Sequence, residues 1–378
     1  MQNKEILKTY AKIDLGALEH NYLAIKAHID KDTPQCRVMC VVKADAYGHG
    51  AENCVKRLAG LGVRRFGVSC IEEARQVRRF APENSDILIL GYTPVENAGE
   101  LAESGYIQTV YSPEYGRALS CAAVEAGQTV RVHIKVDTGM NRIGFSALDG
   151  AACAEEISKV TELGGIRAEG IFTHFACADG AIEETERQHD LFAGVLDALG
   201  EKVKGLCVHC CNSAAAMRFP EYRHDMVRVG IILYGLSPDR ELALPVSLEP
   251  VMTFMTTVIH VHSLKAGERI SYGGSYTAER DMRVATLGVG YADGFLRAFS
   301  GGGQVLINGS PAPVVGRVCM DQCMVDIGDR EVRPGDVAVI FDSEGKNIEK
   351  LAASADTICY ELVCLVGKRV KRISAENP

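Results

Sequence analysis

From residue 37 the chain alternates short, β-branched apolar runs with Ala-, Glu- and Leu-rich stretches whose apolar positions recur at helical spacing. The runs at 37–43, 65–70, 86–91, 107–112, 130–137, 166–175, 206–212 and 225–235 predict strands; the stretches at 51–60, 71–80, 94–104, 114–126, 151–163 and 185–203 predict helices. Gly or Pro stands near many of their ends, where helices stop. Eight strands followed by helices predict an α/β fold, a (β/α)8 TIM-type barrel of about 200 residues with right-handed crossovers and a site at the C-terminal ends of its strands. After Pro238 the rhythm changes to strands separated by turns, with signals at Gly267, Gly273-Gly274, Gly301-Gly302-Gly303, Asn308-Gly309 and Pro334-Gly335, which predicts a smaller, mostly β C-terminal domain. Residues 304–313 read as a hairpin built on Asn308-Gly309. Thr9–Asp14 alternates like a strand, precedes a helix at Leu18–His28, and is expected to join the later sheet. The expected division is therefore a barrel over 12–239 and a β domain over 240–378, with the N-terminal strand 1–11 added to it.

Composition narrows the class of ligand. The chain has 378 residues, 47% of them hydrophobic and 24% charged, as in an ordinary globular protein, and its net charge of −8 argues against a nucleic-acid partner. No apolar stretch approaches the roughly 20 residues of a membrane span, and Met-Gln-Asn-Lys-Glu-Ile at the start lacks a signal-peptide core. A cytoplasmic protein acting on a small molecule is expected, with no membrane partner; a domain cut from a longer protein is the alternative. Fourteen cysteines raise the prospect of a disulfide or metal framework, but Cys207 and Cys210 lie on a predicted strand where residues three apart face opposite ways. Cys36, Cys40, Cys70 and Cys177 sit in apolar segments as small hydrophobes, so reduced thiols and no metal site are expected.

Lys43 closes the first strand, in Val-Val-Lys-Ala-Asp-Ala-Tyr-Gly-His-Gly at 41–50, and is followed by a glycine-rich turn. Partial desolvation at a barrel mouth disfavours its ammonium form and frees the amine as a nucleophile, as a Schiff-base lysine requires. A strand-end lysine that snorkels into solvent is the plain alternative. Tyr47, in the same turn, has a hydroxyl suited to a phosphate. On the fifth strand Arg131, His133, Lys135 and Asp137 share one face, which turns inward if the valines and isoleucine pack on the helices. An interior salt-bridge ladder fits the same pattern. The loop Gly139–Gly144 carries Arg142 over the mouth, in reach of an anion or a phenolate.

Strands seven and eight precede the loops in which such barrels often bind phosphate. Asn212-Ser213 leads into Ala-Ala-Ala-Met, a helix start whose free N–H groups suit a phosphate, with Ser213 as a plain N-cap the alternative. In Met226-Val-Arg-Val-Gly-Ile231, Gly230 opens the backbone to a second phosphate oxygen. Arg228 points to the barrel axis, cannot shed its proton and needs an acceptor, which a pyridine nitrogen would supply. His174, in Phe-Thr-His-Phe, is either its supporting partner or a satisfied core histidine. In the second domain Tyr272, Tyr276, Tyr291 and Tyr360 stand in Ser-Tyr-Gly-Gly-Ser-Tyr, Gly-Tyr-Ala-Asp-Gly and Cys-Tyr-Glu. Such rings either pack or stand exposed on tight turns, where nearby cations make a phenolate accessible.

Taken together, the chain resembles the bacterial alanine racemases, the fold type III pyridoxal-phosphate enzymes, over nearly its whole length. The resemblance is carried by 41–50, by Lys-Val-Asp-Thr-Gly-Met-Asn-Arg-Ile-Gly at 135–144, Thr-His-Phe-Ala at 173–176, His-Cys-Cys-Asn-Ser-Ala at 209–214, Met-Val-Arg-Val-Gly-Ile at 226–231, Ser-Tyr-Gly-Gly-Ser-Tyr at 271–276, Gly-Tyr-Ala-Asp-Gly at 290–294 and Gly-Arg-Val-Cys-Met-Asp-Gln at 316–322. It implies racemisation of alanine, supplying D-alanine for peptidoglycan, with pyridoxal 5'-phosphate held on Lys43. Lys43 and Tyr272 are then the two catalytic bases. Tyr47, Ser213, Gly230, Ile231 and Tyr360 match phosphate ligands, Arg228 the partner of the pyridine nitrogen with His174 behind it, and Arg142 a residue near the cofactor phenolate and substrate carboxylate. The family is a head-to-tail homodimer, so Tyr272, Tyr291 and Met320 are implied to reach the site from the partner chain, Met320 through its backbone. In many members the lysine equivalent to Lys135 is carbamylated, which would turn a cation into an anion that holds Arg142.

Other classes share parts of this pattern. Serine racemases of the glycopeptide-resistance type resemble the family and, by that resemblance, carry a smaller polar residue where this chain has Tyr360, so Tyr360 favours alanine with residual serine turnover. The loop after His174 departs from the common family sequence at Cys177 and Gly180. Fold type III decarboxylases profit from a protonated ring, against which Arg228 argues. Single-domain pyridoxal-phosphate carriers lack the β domain, which residues 240–378 and Tyr272 supply here.

Overall fold

The structure, a computed structural model, describes residues 8–375; residues 1–7 of the expected N-terminal strand lie outside the described residues. All eight predicted runs contain strands: Arg37–Val41, Arg65–Val68, Asp86–Ile89, Ile107–Val110, Val130–Asp137, Ile166–Phe172, Cys207–His209 and Met226–Val229. They pair in parallel in that order, and the eighth returns to the first through Met226↔Arg37 to Val229↔Cys40. Between the seventh and eighth, closure rests on two backbone bonds of 3.0 Å, from Asp225 N–H to Val208 O and from Arg228 N–H to Cys211 O. The result is a near-closed barrel.

Most of these strands stop before their predicted C-terminal ends, because the chain leaves the ladder there to form the loops of the site. The largest difference is the eighth, expected over 225–235: only Met226–Val229 is strand, and Ile231–Tyr234 is a 3-10 turn. Its four side chains are all buried, and a short apolar run in the core reads alike in either conformation. No long helix follows this strand. Its place in the outer ring is taken by Leu15–Asp32, which packs against Ala51–Gly60, Ser213–Arg218 and Ile231–Tyr234. Asp14 starts that helix by accepting from the N–H groups of Gly16 and Ala17 at 3.0 Å. Among the described residues no helix is long and apolar enough to cross a membrane.

The second sheet is organised by Met252–Leu264, a strand of 13 residues. It pairs antiparallel with Thr9–Asp14, Val337–Phe341 and Met282–Leu287. Thr9–Asp14 also pairs in parallel with Lys371–Ala375, so the N-terminal strand joins the later sheet as its alternation predicts. The hairpin Gln304–Ile307 and Ser310–Pro313 turns at Asn308 and Gly309 with φ of 53° and 75°, the left-handed pair that an Asn-Gly hairpin turn requires.

One apolar cluster runs through both units, from Leu18, Phe66 and Phe192 around the barrel to Phe254, Phe299 and Phe341 in the sheet. Asn21 stitches the junction. Fully buried, it donates from Nδ2 to Leu233 O at 3.0 Å and Glu249 O at 2.7 Å, and accepts from Glu249 N–H at 2.7 Å. Asn21→Leu strands three backbone groups, and a buried polar group left unpaired costs about 1–3 kcal/mol. The expected outcome is a loss of about 3 kcal/mol in urea denaturation, against little change for an exposed control such as Lys12→Gln.

Candidate active site at the barrel mouth

The chain beyond Lys43 does something its residues do not advertise. Ala44, Asp45, Ala46 and Tyr47 have φ of 51°, 54°, 55° and 52°, followed by Gly48 at 78°, so the segment is a turn of left-handed helix. This corrects the plain glycine-rich turn expected from sequence. Such a conformation costs about 1–2 kcal/mol for each non-glycine residue, and persists only where the surroundings determine it. Here Glu73 accepts from Ala44 N–H and Asp45 from Ala51 N–H, both at 2.7 Å. His49 lies beneath, donating from Nδ1 to the carbonyls of Ala46 at 3.0 Å and Tyr47 at 2.9 Å. Arg372, from the far end of the chain, donates from Nε to Gly48 O at 3.0 Å. A Cβ on Gly48 would lie 2.1 Å from Val363 O, so only glycine closes the turn against the C-terminal segment. The turn folds Tyr47 back into the core and leaves Lys43 half-buried at the rim.

Around Lys43 the mouth gathers cations. Burial, reinforced by Arg142, lowers the pKa of Lys43, with Glu73 opposing. Lys135 is buried and pushed down to about 7, chiefly by desolvation, with Asp137 opposing and Arg228 and Arg142 adding to the fall. Its Nζ donates to Val136 O at 2.6 Å. Arg228, also buried, donates to His209 Nδ1 and Thr173 O at 2.8 Å, to Cys210 O at 3.0 Å and to His174 Nδ1 at 3.4 Å. None of these acceptors is a carboxylate, and burial pulls the guanidinium down to about 10. Desolvation and then Arg228 hold His174 well below the ordinary imidazole range. Glu73 binds the backbone N–H groups of Ala44 and Ser69, and Asp137 those of Gly139, Asn141 and Arg142. On the fifth strand no salt-bridge ladder forms: only Arg131, at its start, pairs with carboxylates, Asp86 at 2.8 Å and Glu169 at 2.7 Å.

Next to the cations lies a cradle of neutral donors. Asn212 caps the helix Ser213–Arg218 by accepting from Ala215 N–H at 3.0 Å, so Ser213 is not the cap. Its Oγ accepts from Gly230 N–H at 2.8 Å instead. A Cβ on Gly230 would stand 2.5 Å from the hydroxyl of Tyr47, so bare backbone and phenol meet at this point. The rings of Tyr47 and Tyr360 are 6.1 Å apart, and burial raises the pKa of both, keeping them protonated donors. Ile231 opens the 3-10 turn, where N–H groups lack partners within the turn. O–H and N–H donors beside unpaired cations suit a phosphate. Arg228, a donor without acceptor capacity, suits a ring nitrogen with a lone pair. Lys43, biased towards its free amine, suits a carbonyl.

Not every expected residue joins this cluster. Tyr272, Met320 and Tyr291 are 71%, 53% and 42% exposed on the β domain. The cleft that holds Tyr272 and Met320 is lined by Ser271, Gly273, Cys319, Asp321, Gln322 and Met324, with no barrel residue among them. Arg142 stands exposed above the mouth, close enough to affect Lys43, Lys135 and His174.

Comparison with known proteins decides the family. The N-terminal domain profile of alanine racemases matches residues 13–238 and the C-terminal domain profile matches 251–374. The chain belongs to the alanine racemase family. An alanine racemase from Desulfovibrio desulfuricans is 42% identical over 97% of this chain and 98% of its own length. Among solved structures, the alanine racemase of Clostridium difficile superposes with a TM-score of 0.90 at 37% identity, covering 99% of this chain and 97% of that one. The alanine racemase from Bacillus anthracis with bound L-Ala-P gives 0.89 at 33% identity, over 98% and 95%.

Within this member of the alanine racemase family, sequence reasoning passed over Glu73, His49, His209 and Arg372. A buried polar residue in the apolar run 206–212 was a usable signal for His209. Nothing local marks Glu73 or Arg372, which act on a turn far away in the chain. The depressed Lys135 has a thermodynamic consequence. Its folded pKa of about 7 lies below its unfolded value, so between those values the unfolded chain binds the extra proton and stability rises with pH. In urea denaturation of cofactor-free protein in carbon-dioxide-free buffer, going from pH 7.5 to 9.5 should stabilise wild type over Lys135→Met by about 3 kcal/mol. Parallel pH curves for the two proteins would show that Lys135 stays charged when folded.

Proposed function

We propose that this chain is an alanine racemase that interconverts L- and D-alanine with pyridoxal 5'-phosphate, as a cytoplasmic homodimer with composite active sites supplying D-alanine for peptidoglycan. The observation that carries the reading is the mouth itself: cations without carboxylate partners, a lysine biased towards its free amine, and a cradle of neutral donors, in a chain 42% identical over 97% of its length to an alanine racemase. The division of labour we propose has the barrel binding the cofactor and the β domain supplying the second base; the expected cut between residues 11 and 12 moves to after Asp14, because the strand Thr9–Asp14 lies wholly in the second sheet.

The residues present fit the cofactor. Lys43 would hold it covalently; Tyr47, Ser213, Gly230, Ile231 and Tyr360 would receive its phosphate; Arg228, backed by His174, would face its ring nitrogen. When bound, pyridoxal phosphate draws electrons from the Cα–H bond of an attached amino acid and so acidifies that hydrogen. Racemisation then needs one base on each face of Cα, one taking a proton while the other supplies one. Lys43 serves one face and the partner's Tyr272 the other, which accounts for tyrosine and methionine side chains left exposed on the β domain of a single chain. Tyr291 and the backbone of Met320 arrive from the partner with it, and Arg142 meets the substrate carboxylate. Arg228, a donor that keeps its own proton, would leave the ring nitrogen unprotonated and so limit side reactions such as transamination. A neutral buried Lys135 amine is the form that takes up carbon dioxide, and a carbamate there would give Arg142 an anion.

Three measurements test this reading. Tyr272→Phe should lower racemisation from both enantiomers by about a hundredfold or more, while the visible absorbance of bound cofactor survives and Lys43 still exchanges the α-proton of one enantiomer; unchanged racemisation rules out the two-base assignment. Deuterium exchange at Cα should be fast with alanine and slow with serine, and equal rates would move the chain to the serine racemases. In 13C-bicarbonate, wild type should show a carbamate carbon resonance that Lys135→Ala lacks.

A further inference from the structure

Beneath Arg228 the barrel interior holds two histidines for which the proposed chemistry has no use. His209, on the seventh strand, receives Arg228 at Nδ1 over 2.8 Å, and its Nε2 meets Nδ1 of His133, on the fifth strand, at 2.9 Å. Both rings are buried. One end fixes the direction of every bond. A guanidinium has donors only, so His209 Nδ1 must offer its lone pair. A neutral imidazole then carries its proton on Nε2, which donates to His133 Nδ1, and His133 in turn carries its proton on Nε2.

The fold builds a seat for this column. A Cβ on Gly170 would lie 2.6 Å from the His133 ring, so glycine opposite it is a condition of the ring's presence. The pairing of strands five and six jumps from Val132↔Ala168 to His133↔Gly170, which makes Glu169 the extra residue of a β-bulge. Gly170 thereby comes against His133, and Glu169 accepts from Arg131 Nε at 2.9 Å at the barrel floor. Phe172 stacks on His209 at 4.7 Å and 4°, and the Arg228 guanidinium lies 5.2 Å from the centre of the Phe172 ring. The charged groups around His133 are Glu169, Asp86, Arg131 and Arg37; those around His209 are Arg228, Arg37 and Lys135. Desolvation outweighs them all, pushing His133 down to about 4 and His209 well below its ordinary range, so both rings stay neutral near neutral pH.

We propose that His133 is a positioning residue for the racemase reaction: by accepting from His209 Nε2–H it fixes the His209 tautomer, and through it the orientation of Arg228, the residue that would face the cofactor's ring nitrogen. It touches neither substrate nor cofactor. The inference rests on Arg228 as the partner of the ring nitrogen and deepens that reading.

The test uses the holoenzyme labelled with 15N-histidine, together with the variants His133→Leu and His133→Asn. Leucine fills the space without an acceptor, while the asparagine Oδ1 can take the place of Nδ1. In wild type, NMR should show His133 and His209 as neutral rings protonated at Nε2. His133→Leu should lower kcat for alanine about tenfold, the worth of one buried hydrogen bond, with KM little changed and with the His209 signals and the visible cofactor band displaced. His133→Asn should recover most of that loss and the wild-type His209 pattern. A wild-type His209 protonated at Nδ1, or a His133→Leu enzyme with unchanged kcat and His209 signals, overturns the proposal. If His133→Leu does not fold, the wild-type tautomers and the asparagine variant decide. Alanine turnover with the wrong tautomer sinks this proposal alone, whereas absence of cofactor absorbance and turnover sinks the racemase reading and this proposal with it.

Discussion

The site depends on one electrostatic constraint: the barrel mouth desolvates positive side chains and withholds carboxylates from them. Removing a charge from water is expensive unless a partner of opposite sign replaces the solvent. For Arg228 the replacements are carbonyls and imidazoles, and for Lys135 a single carbonyl. The nearest acids, Glu73 and Asp137, hold the backbone of two loops. The fold thus carries an unmet demand for negative charge at one place, and a phosphate, a phenolate and a carboxylate are ligands that meet it. Lys43 loses affinity for its proton through the same desolvation, so one cause accounts both for its lowered pKa and for the uncompensated positive charge beside it.

Two kinds of backbone geometry aim these groups. At the rim, a left-handed turn directs Tyr47 inward while Lys43 stays at the edge; the adjacent His49 and two residues from elsewhere in the chain, Glu73 and Arg372, hold it. Inside, a bulge at Glu169 and the missing side chain of Gly170 make room for a histidine column under Arg228. Both are departures from regular structure beside the candidate site, and strain and irregularity tend to gather at such sites.

The large elements were legible because their signals are local. Eight strands, the strand at Thr9–Asp14 and the Asn308-Gly309 hairpin follow from alternation and turn chemistry. The last barrel strand was read too long because Ile231–Tyr234 is buried on every side, and burial without periodicity does not tell strand from turn. The left-handed turn was illegible for a different reason. Alanine and tyrosine disfavour that conformation and the one aspartate tolerates it without specifying a run of four, so its cause lies in partners such as Arg372 rather than in the segment. Among the candidate site residues, Lys43, Arg228 and Ser213 stand out in the sequence by type and position, whereas the cap at Asn212, which frees Ser213, needs the helix start itself.

Arg372 also sets an order of events. It lies 324 residues after Gly48, whose carbonyl it holds. A ribosome adds about 5–20 residues per second, so roughly 16 to 65 seconds separate the synthesis of the turn from that of its clamp. During that interval the strands around Lys43 can assemble while the left-handed segment lacks one of the contacts that hold it. The nascent barrel therefore remains unfinished at its rim until the strand that carries Arg372 arrives, and Lys43 is set in its final geometry only after both the barrel and the second sheet have been made.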